Sequence, residues 1–287
     1  MGPASRPRLT LATAAAPAAA VAVVYAPALV HGVEVWRSDE ELSFGFLVVP
    51  AAGVLLALRW RALAGVSASG DRLGMAALAA GLAMLVIGAR ADVHALVGAS
   101  FLPVALGALA YLHGLAAARL AALPVALVAA GLSLYRGLLA PLGFALQQLT
   151  AQASAVAATT AGVNVRRSGV DLFTTNVHLV IAQACSGMDS LLALLCVGTL
   201  FAGVVSAPVA RRLLLVGLVL PIILVANVLR VTLVLVLSGP FGQAVAHGLF
   251  HELLSASVFV AATSLFLAAG LVLRCVPSFA AGSWSPG

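Results

Sequence analysis

Cys185 is the residue of this sequence best placed to act as a nucleophile. It lies in AQACSGMDS (182–190), between a polar, strand-like stretch and an almost unbroken apolar run. Ser186 and Gly187 are small enough for a tight turn into a helix that begins near Met188. The unpaired N–H groups of that helix start would favour a thiolate and could receive an oxyanion. The alternative is a buried apolar cysteine, which the other two cysteines of the chain fit well.

Arg230 is a charged residue inside an apolar run, PIILVANVLRVTLVLVLSG (221–239). We expect it about two helical turns before the outer end of a membrane span, with Asn227 three residues earlier on nearly the same face. Charged groups inside a span are costly and usually mark a functional site. The alternative is an arginine whose long side chain reaches the membrane surface.

His247, His251 and Glu252 lie together in AVAHGLFHELLSAS (244–257). The two histidines are four residues apart, so on a helix they share a face and either could transfer protons. A pair of histidines also suggests a metal, and an intramembrane metalloprotease is one alternative function. A catalytic zinc needs three protein ligands, however, and no clear third ligand is present. The sequence therefore predicts no metal and no cofactor.

The elements that must position these residues are membrane helices. The chain is 63% hydrophobic and 8% charged, and its mean hydropathy is +1.14. Several apolar runs reach the length of a bilayer span. We therefore predict an all-α integral membrane protein with about eight transmembrane helices, at residues 11–31, 42–58, 73–89, 94–116, 120–139, 187–206, 212–238 and 250–273. The first run is long for a signal peptide, and we expect an uncleaved span.

The segment before the sixth span has a different character. Residues 141–162 have helical spacing with glutamines and threonines on one side, which indicates an interfacial or partly buried helix. Residues 163–182 alternate and are β-branched, with a turn expected at 166–169, so a small β-hairpin is predicted there. The predicted organisation is an N-terminal membrane bundle (1–140), a catalytic membrane region (141–273) and a short cytoplasmic tail (274–287).

The basic residues indicate orientation rather than nucleic-acid binding. The net charge is +6, and all fifteen cations are arginines scattered between apolar runs. No dense basic patch with aromatic residues is present, as nucleic-acid binding would need. With a cytoplasmic N-terminus, nine arginines fall inside and five outside, which is the expected bias for a plasma-membrane protein. The inside set is Arg6, Arg8, Arg59, Arg61, Arg72, Arg119, Arg211, Arg212 and Arg274.

This topology brings the reactive side chains to one depth. Cys185 precedes the sixth span, Arg230 is near the end of the seventh, and His251 is at the start of the eighth. Because consecutive spans alternate in direction, all three lie on the extracytoplasmic side, where the hairpin is also expected. A thiol, a guanidinium and an imidazole together are what cysteine acyl transfer needs.

Three segments resemble the exosortase/archaeosortase family in order and spacing: AQACSGMDSL (182–191), PIILVANVLRV (221–231) and HGLFHELLS (247–255). The resemblance implies a multi-pass cysteine protease-transpeptidase. It would cleave exported proteins at a C-terminal signal made of a short motif, a transmembrane helix and a basic tail. It would then transfer them to an anchor whose acceptor, an amine lipid or a glycan, is not identified.

By the same resemblance, Cys185 matches the family nucleophile, Arg230 the family arginine and His251 the third catalytic position. Ser186, Gly187, Asn227, His247 and Glu252 are candidate substrate-binding or supporting residues. Asp189 stands where a basic or amide residue is more usual in the family, and Ser255-Ala256 where a glycine is usual. His247 remains the rival of His251, and a non-enzymatic transporter or assembly subunit remains the second alternative function.

Overall fold

The computed structural model of the protein describes the backbone of residues 11–39, 42–66, 70–133, 136–181, 187–246 and 248–277. Of the residues singled out above, Cys185, Ser186 and His247 lie outside these ranges. His251 is described by its backbone alone. The chain divides into two compact units, one with the first five helices and the other with the remaining helices and all described strands.

The first unit consists of five apolar helices, each long enough to cross a membrane. Asp71 caps the third helix, since its side chain accepts a hydrogen bond of 2.8 Å from the N–H of Leu73. Gly114, with φ of 90°, separates the fourth helix from the fifth. The five helices are α1 Leu11–Ser38, α2 Gly45–Ala64, α3 Arg72–Arg90, α4 His94–His113 and α5 Leu115–Ser133.

Glycines at a spacing of seven residues allow α3 and α4 to pack closely. Gly74, Gly81 and Gly88 are the buried residues of α3. A Cβ atom added at Gly81 would lie 2.7 Å from the backbone nitrogen of Val104 in α4. Small residues at an interface let the backbones of membrane helices approach, and packing of this kind replaces the hydrophobic effect as the cause of helix association in lipid.

The second unit is built around α9. Its helices are α6 Arg136–Thr160, α7 Met188–Val204, α8 Val209–Gly217, α9 Val219–Phe241 and α10 Gly248–Val272, with a 3-10 turn at Gly242–Ala246. Buried small residues on one face of α6, among them Ala151, Ser154 and Ala158, are spaced for helix packing. The hydroxyl of Ser154 donates to the carbonyl of Val228 in α9 at 3.2 Å.

The predicted seventh span is interrupted near its start. Residues 209–241 form one apolar stretch of 33 residues, but α8 ends at Gly217 and α9 begins at Val219. Pro221 explains the break, because proline has no N–H and its ring clashes with the carbonyl four residues earlier, which is that of Gly217. At its other end α9 runs on to Phe241. Arg230 is therefore three turns from the end of the helix rather than the predicted two.

The predicted β segment is a three-stranded antiparallel sheet in the order β1 (Arg166–Ser168), β2 (Asp171–Phe173), β3 (His178–Val180). The expected turn at 166–169 was wrong, because residues 166–168 form β1. The turn is Gly169–Val170, with Gly169 at φ of +65°. Glycine at the first position of a two-residue turn supplies this positive φ without strain.

The two faces of the sheet differ. Leu172 and Leu179 are buried and pack in one cluster with Val231, Val234 and Leu235 of α9. On the other face Phe173 stacks on His178 with ring centroids 4.3 Å apart. The Nε2 atom of His178 lies 2.9 Å from Oδ1 of Asp171, and the guanidinium of Arg166 covers the Phe173 ring at 5.2 Å. The leucines thus attach the sheet to the helices of this unit.

The predicted all-α membrane architecture is confirmed. Among the described residues, seven helices are long and apolar enough to span a bilayer. The predicted sixth span is the shorter α7, whose 17 residues are at the lower limit for a span. Many large apolar side chains are exposed, as expected for surfaces that face lipid. A two-residue pairing of β4 (Val205–Ser206) with β5 (Val276–Pro277) links the chain after α7 to the chain after α10.

Candidate active site

A small polar cavity lies where α7, α9 and α10 meet. Its volume is about 10 Å³, about the space of one water molecule. Four polar residues line it, Ser190 from α7, Asn227 and Arg230 from α9, and Ser255 from α10. Apolar residues of α9 and α10 complete the wall. Three helices thus bring polar side chains to one point in a region that is otherwise apolar.

The first turn of α7 rests directly on α9. Gly187 is the N-cap residue of α7 and has φ of +80°, a conformation that residues with a Cβ rarely adopt. A Cβ atom at Gly187 would lie 3.0 Å from Cγ of Asn227. The predicted helix start at Met188 is therefore observed, whereas Ser186 of the predicted turn lies outside the described residues. The backbone conformation and the close contact therefore both favour glycine at this position.

Arg230 is a buried charge with an incomplete set of partners. Its side chain is 7% exposed. Nη1 donates a hydrogen bond of 3.2 Å to the hydroxyl of Ser255. Nη2 is buried and has no hydrogen-bond partner among the described residues. A buried charged donor without a partner costs several kcal/mol by order of magnitude, so a group that supplied an oxygen to it would be bound favourably.

Asn227 is held by a fourth helix. Its Nδ2 donates to Oγ1 of Thr150 in α6 at 3.2 Å, and Thr150 is fully buried. The side chain of Asn227 thus lies between α6 and the start of α7. Asp189, in the first turn of α7, has a buried Oδ1 without a partner within the described ranges. An acidic residue in a first turn is favoured by the helix dipole.

The structure brings together Gly187, Asn227 and Arg230 of the predicted site residues. Glu252 is exposed and is not among the residues that line the cavity. The backbone of His251 lies in α10, one helical turn before Ser255. Where the structure describes the chain, no group of three or more His, Cys, Asp or Glu residues could hold a metal ion.

Three residues of the site were not singled out as site residues from the sequence. Ser190 and Ser255 line the cavity, and Thr150 supports Asn227 from α6. Spacing gives a signal for one of them, since Ser255 is four residues after His251 and therefore shares its helix face. Nothing in the sequence distinguishes Thr150 from the other hydroxyl residues of α6, because its importance depends on which helix packs beside α9.

Fold and site together define a class, a multi-pass helical membrane protein with a buried polar site among its helices. Within that class the chain matches the transmembrane exosortase family over residues 36–268, and it belongs to that family. Members of the family act on exported proteins that carry C-terminal sorting signals, and they are protease-like transpeptidases. Comparisons with curated proteins and with solved structures give no match.

Proposed function

We propose that this exosortase is a cysteine protease-transpeptidase. It cleaves the C-terminal sorting signal of exported proteins at the outer membrane face and transfers them to an acceptor. The single observation that best supports this proposal is the contact of Gly187 with Asn227, one helical turn from a buried Arg230 whose Nη2 has a hydrogen bond to donate. This contact joins the N-terminus of α7 to a helix that carries a charged donor without a partner among the described residues, and the proposed nucleophile precedes Gly187 by two residues.

Chain length limits the distance from Cys185 to this site. Cys185 is two residues before Gly187, and two residues of chain span at most about 7 Å. Because Gly187 is next to Asn227, the proposal needs the thiol to cover no more than this short length of chain to meet a substrate carbonyl bound by Arg230. His251 is one turn, or about 6 Å along the axis, before Ser255, whose hydroxyl accepts from Arg230. Position 251 is therefore suitable for proton transfer at the same site.

The proposed reaction has two halves. The Cys185 thiolate attacks the scissile carbonyl carbon, and the oxyanion that forms accepts a hydrogen bond from Nη2 of Arg230. The C–N bond then breaks, His251 gives its proton to the leaving amine, and a thioester remains on Cys185. An acceptor amine attacks the thioester, loses a proton to His251 and releases the thiolate. Water in place of the amine gives hydrolysis instead.

Substitution of the nucleophile tests this function. A Cys185→Ala variant should remain inserted in the membrane and leave a precursor with a C-terminal sorting signal uncleaved. The measurement is the ratio of precursor to processed protein on a gel, with a Cys196→Ala variant as the matched control. Normal processing by Cys185→Ala would rule out the proposed mechanism.

Single alanine variants distinguish the roles of His247 and His251. We expect His251→Ala to abolish cleavage and His247→Ala to retain it. If His247→Ala alone lost cleavage, His247 rather than His251 would be the residue that transfers the proton. Inhibition by a chelator, combined with an active Cys185→Ala variant, would support the metalloprotease alternative instead.

The orientation proposed from the arginine distribution places the N-terminus in the cytoplasm and the catalytic residues outside the cell. A cysteine introduced at Arg167 in β1, on a Cys-less background, should react with a membrane-impermeant maleimide added to intact cells. A cysteine at Arg61 should react after lysis alone. The opposite pattern would reverse the orientation.

A further inference from the structure

The first unit contains a second, much larger cavity, which the proposed function does not use. Its volume is about 440 Å³, within the range of small-molecule sites. Residues of α1, α2, α4 and α5 line it, and nearly all of them are apolar; Ala52, Gly53, Phe101 and Pro124 are examples. Four membrane helices therefore line a partly open cavity, and the lining suits an apolar occupant.

The cavity is elongated. Its lining residues on α4 run from Phe101 to Leu112, which is about 17 Å along the helix axis at 1.5 Å per residue. This length and the apolar lining suit an extended hydrocarbon chain.

Water is a poor occupant of this space. The hydroxyl of Tyr25, a lining residue, is already hydrogen-bonded to Oγ of Ser100 at 2.7 Å. A buried water needs two to four polar partners, and apolar cavities otherwise stay dry or take up apolar ligands. Because the helices lie in a bilayer, the apolar molecule present at high concentration is lipid.

Three arginines, Arg59, Arg61 and Arg119, lie within two residues of lining residues at one end of the cavity. Trp60 and Leu63 line this end, and Trp60 lies between Arg59 and Arg61 in the last turns of α2. Nη1 of Arg59 donates to the carbonyl of Leu120 in α5 at 3.0 Å, next to the lining residue Ala121. Arg61 and Arg119, in the same parts of α2 and α5, are exposed. Tryptophan and arginine at the end of an apolar site are typical of the headgroup level of a membrane.

We propose that the first unit binds one anionic glycerophospholipid, with one acyl chain in the cavity and the phosphate beside the exposed Arg61 and Arg119 near Trp60. The site is separate from the cavity at Arg230, so this inference does not depend on the proposed catalysis. In the predicted orientation the arginine end faces the cytoplasm, where anionic headgroups would be held by the same charges that orient the protein.

Gly53 offers a variant that fills the cavity without disturbing its wall. It lines the cavity, and a Cβ atom added there would have no heavy atom within 4 Å. A Gly53→Leu side chain therefore occupies space that the acyl chain needs. The matched control is Gly217→Leu, since Gly217 in α8 also has open space around a Cβ atom and does not line the cavity.

The probe is a phosphatidylglycerol with a diazirine in its acyl chain, incorporated into vesicles with the purified full-length protein. We expect photolabelled peptides from α1, α2, α4 and α5. Labelling there should fall at least fivefold in Gly53→Leu and stay unchanged in Gly217→Leu. Equal labelling of the wild type and Gly53→Leu, or labelling spread evenly over all helices, would overturn the proposal.

The headgroup is tested independently of any variant by native mass spectrometry of the wild-type protein. With equal amounts of phosphatidylglycerol and phosphatidylcholine, we expect one tightly held lipid, with at least a fivefold preference for phosphatidylglycerol. The preference should disappear in the double variant Arg61→Gln/Arg119→Gln. Equal retention of the two lipids by the wild type would refute an anionic headgroup at the arginines.

Discussion

Replacement of Gly187 by alanine is expected to reduce processing far more than it reduces stability. The φ of +80° costs a residue with a Cβ about 1–2 kcal/mol. The new Cβ would also lie 3.0 Å from Cγ of Asn227, whereas carbon atoms prefer about 3.5–4.0 Å. Either Asn227 or the start of α7 must therefore move by several tenths of an ångström.

That movement occurs two residues along the chain from Cys185 and one helical turn from Arg230. A displacement of 1 Å in reacting groups can reduce a rate about 100-fold, so we expect at least a tenfold loss of processing from this smaller shift. The matched control is Gly169→Ala, which has a φ of +65° and no atom within 4 Å of the added Cβ. It should lose about as much stability from the backbone conformation, about 1–2 kcal/mol, and keep its activity.

The assay is the rate of precursor cleavage in membranes, compared with the midpoint of unfolding in a denaturing detergent. Gly187→Ala and Gly169→Ala should unfold within about 1–2 kcal/mol of the wild type, and only Gly187→Ala should be slow. Equal processing rates of the two variants would show that the contact of Gly187 with Asn227 does not position the reacting groups.

Three further predictions concern the environment of Arg230. Arg230→Lys keeps the charge but loses the forked donors, so cleavage should fall about 10²–10³-fold, as when one oxyanion donor is removed; near-normal cleavage would show that charge alone is sufficient. Ser255→Ala should slow cleavage and Ser255→Thr should restore it, because the hydroxyl holds Nη1; equal rates of the two would exclude that role. Asn227→Ala removes the hydrogen bond to Thr150 and should destabilise the protein by about 1–2 kcal/mol, as measured by detergent unfolding; Thr150→Val should cause a similar loss, and an unchanged midpoint in both would contradict it.

The membrane architecture could be predicted because it depends on run length and composition. Each span must satisfy its backbone hydrogen bonds internally, so an apolar run of sufficient length is a helix in almost any context. Boundaries were less predictable. The fifth span was expected at 120–139, whereas α5 is Leu115–Ser133 and Arg136 already begins α6.

The sheet shows a different limit of prediction from the sequence. Alternation predicted strands in residues 163–182, but the turn was placed at Arg166–Gly169, one strand too early. Two adjacent arginines suggested an exposed turn, whereas in β1 Arg166 pairs with Phe173 and stacks on its ring. Pairing across strands decided the register, and single-sequence patterns do not contain the identity of the partner.

At the site, the sequence identified residues whose chemistry is unusual for their surroundings. Arg230 and Asn227 stand out in an apolar helix, and Gly187 follows from the need for a turn. Thr150 and Ser190 could not be found, because hydroxyl residues are common in membrane helices and their role depends on which helices pack together. The reactive residues could thus be predicted from their types. The residues that hold them in place could be identified only from the tertiary structure.

The central claim is that cleavage passes through a thioester on Cys185. The direct measurement is mass spectrometry of the acid-quenched protein after it has been mixed with a peptide that carries a C-terminal sorting signal, without an acceptor amine. The account predicts an adduct with the mass of the N-terminal fragment on the peptide that contains Cys185. Hydroxylamine should remove the adduct, and Cys185→Ala should lack it. Continued cleavage by Cys185→Ala, with no adduct on the wild-type protein, would contradict the account.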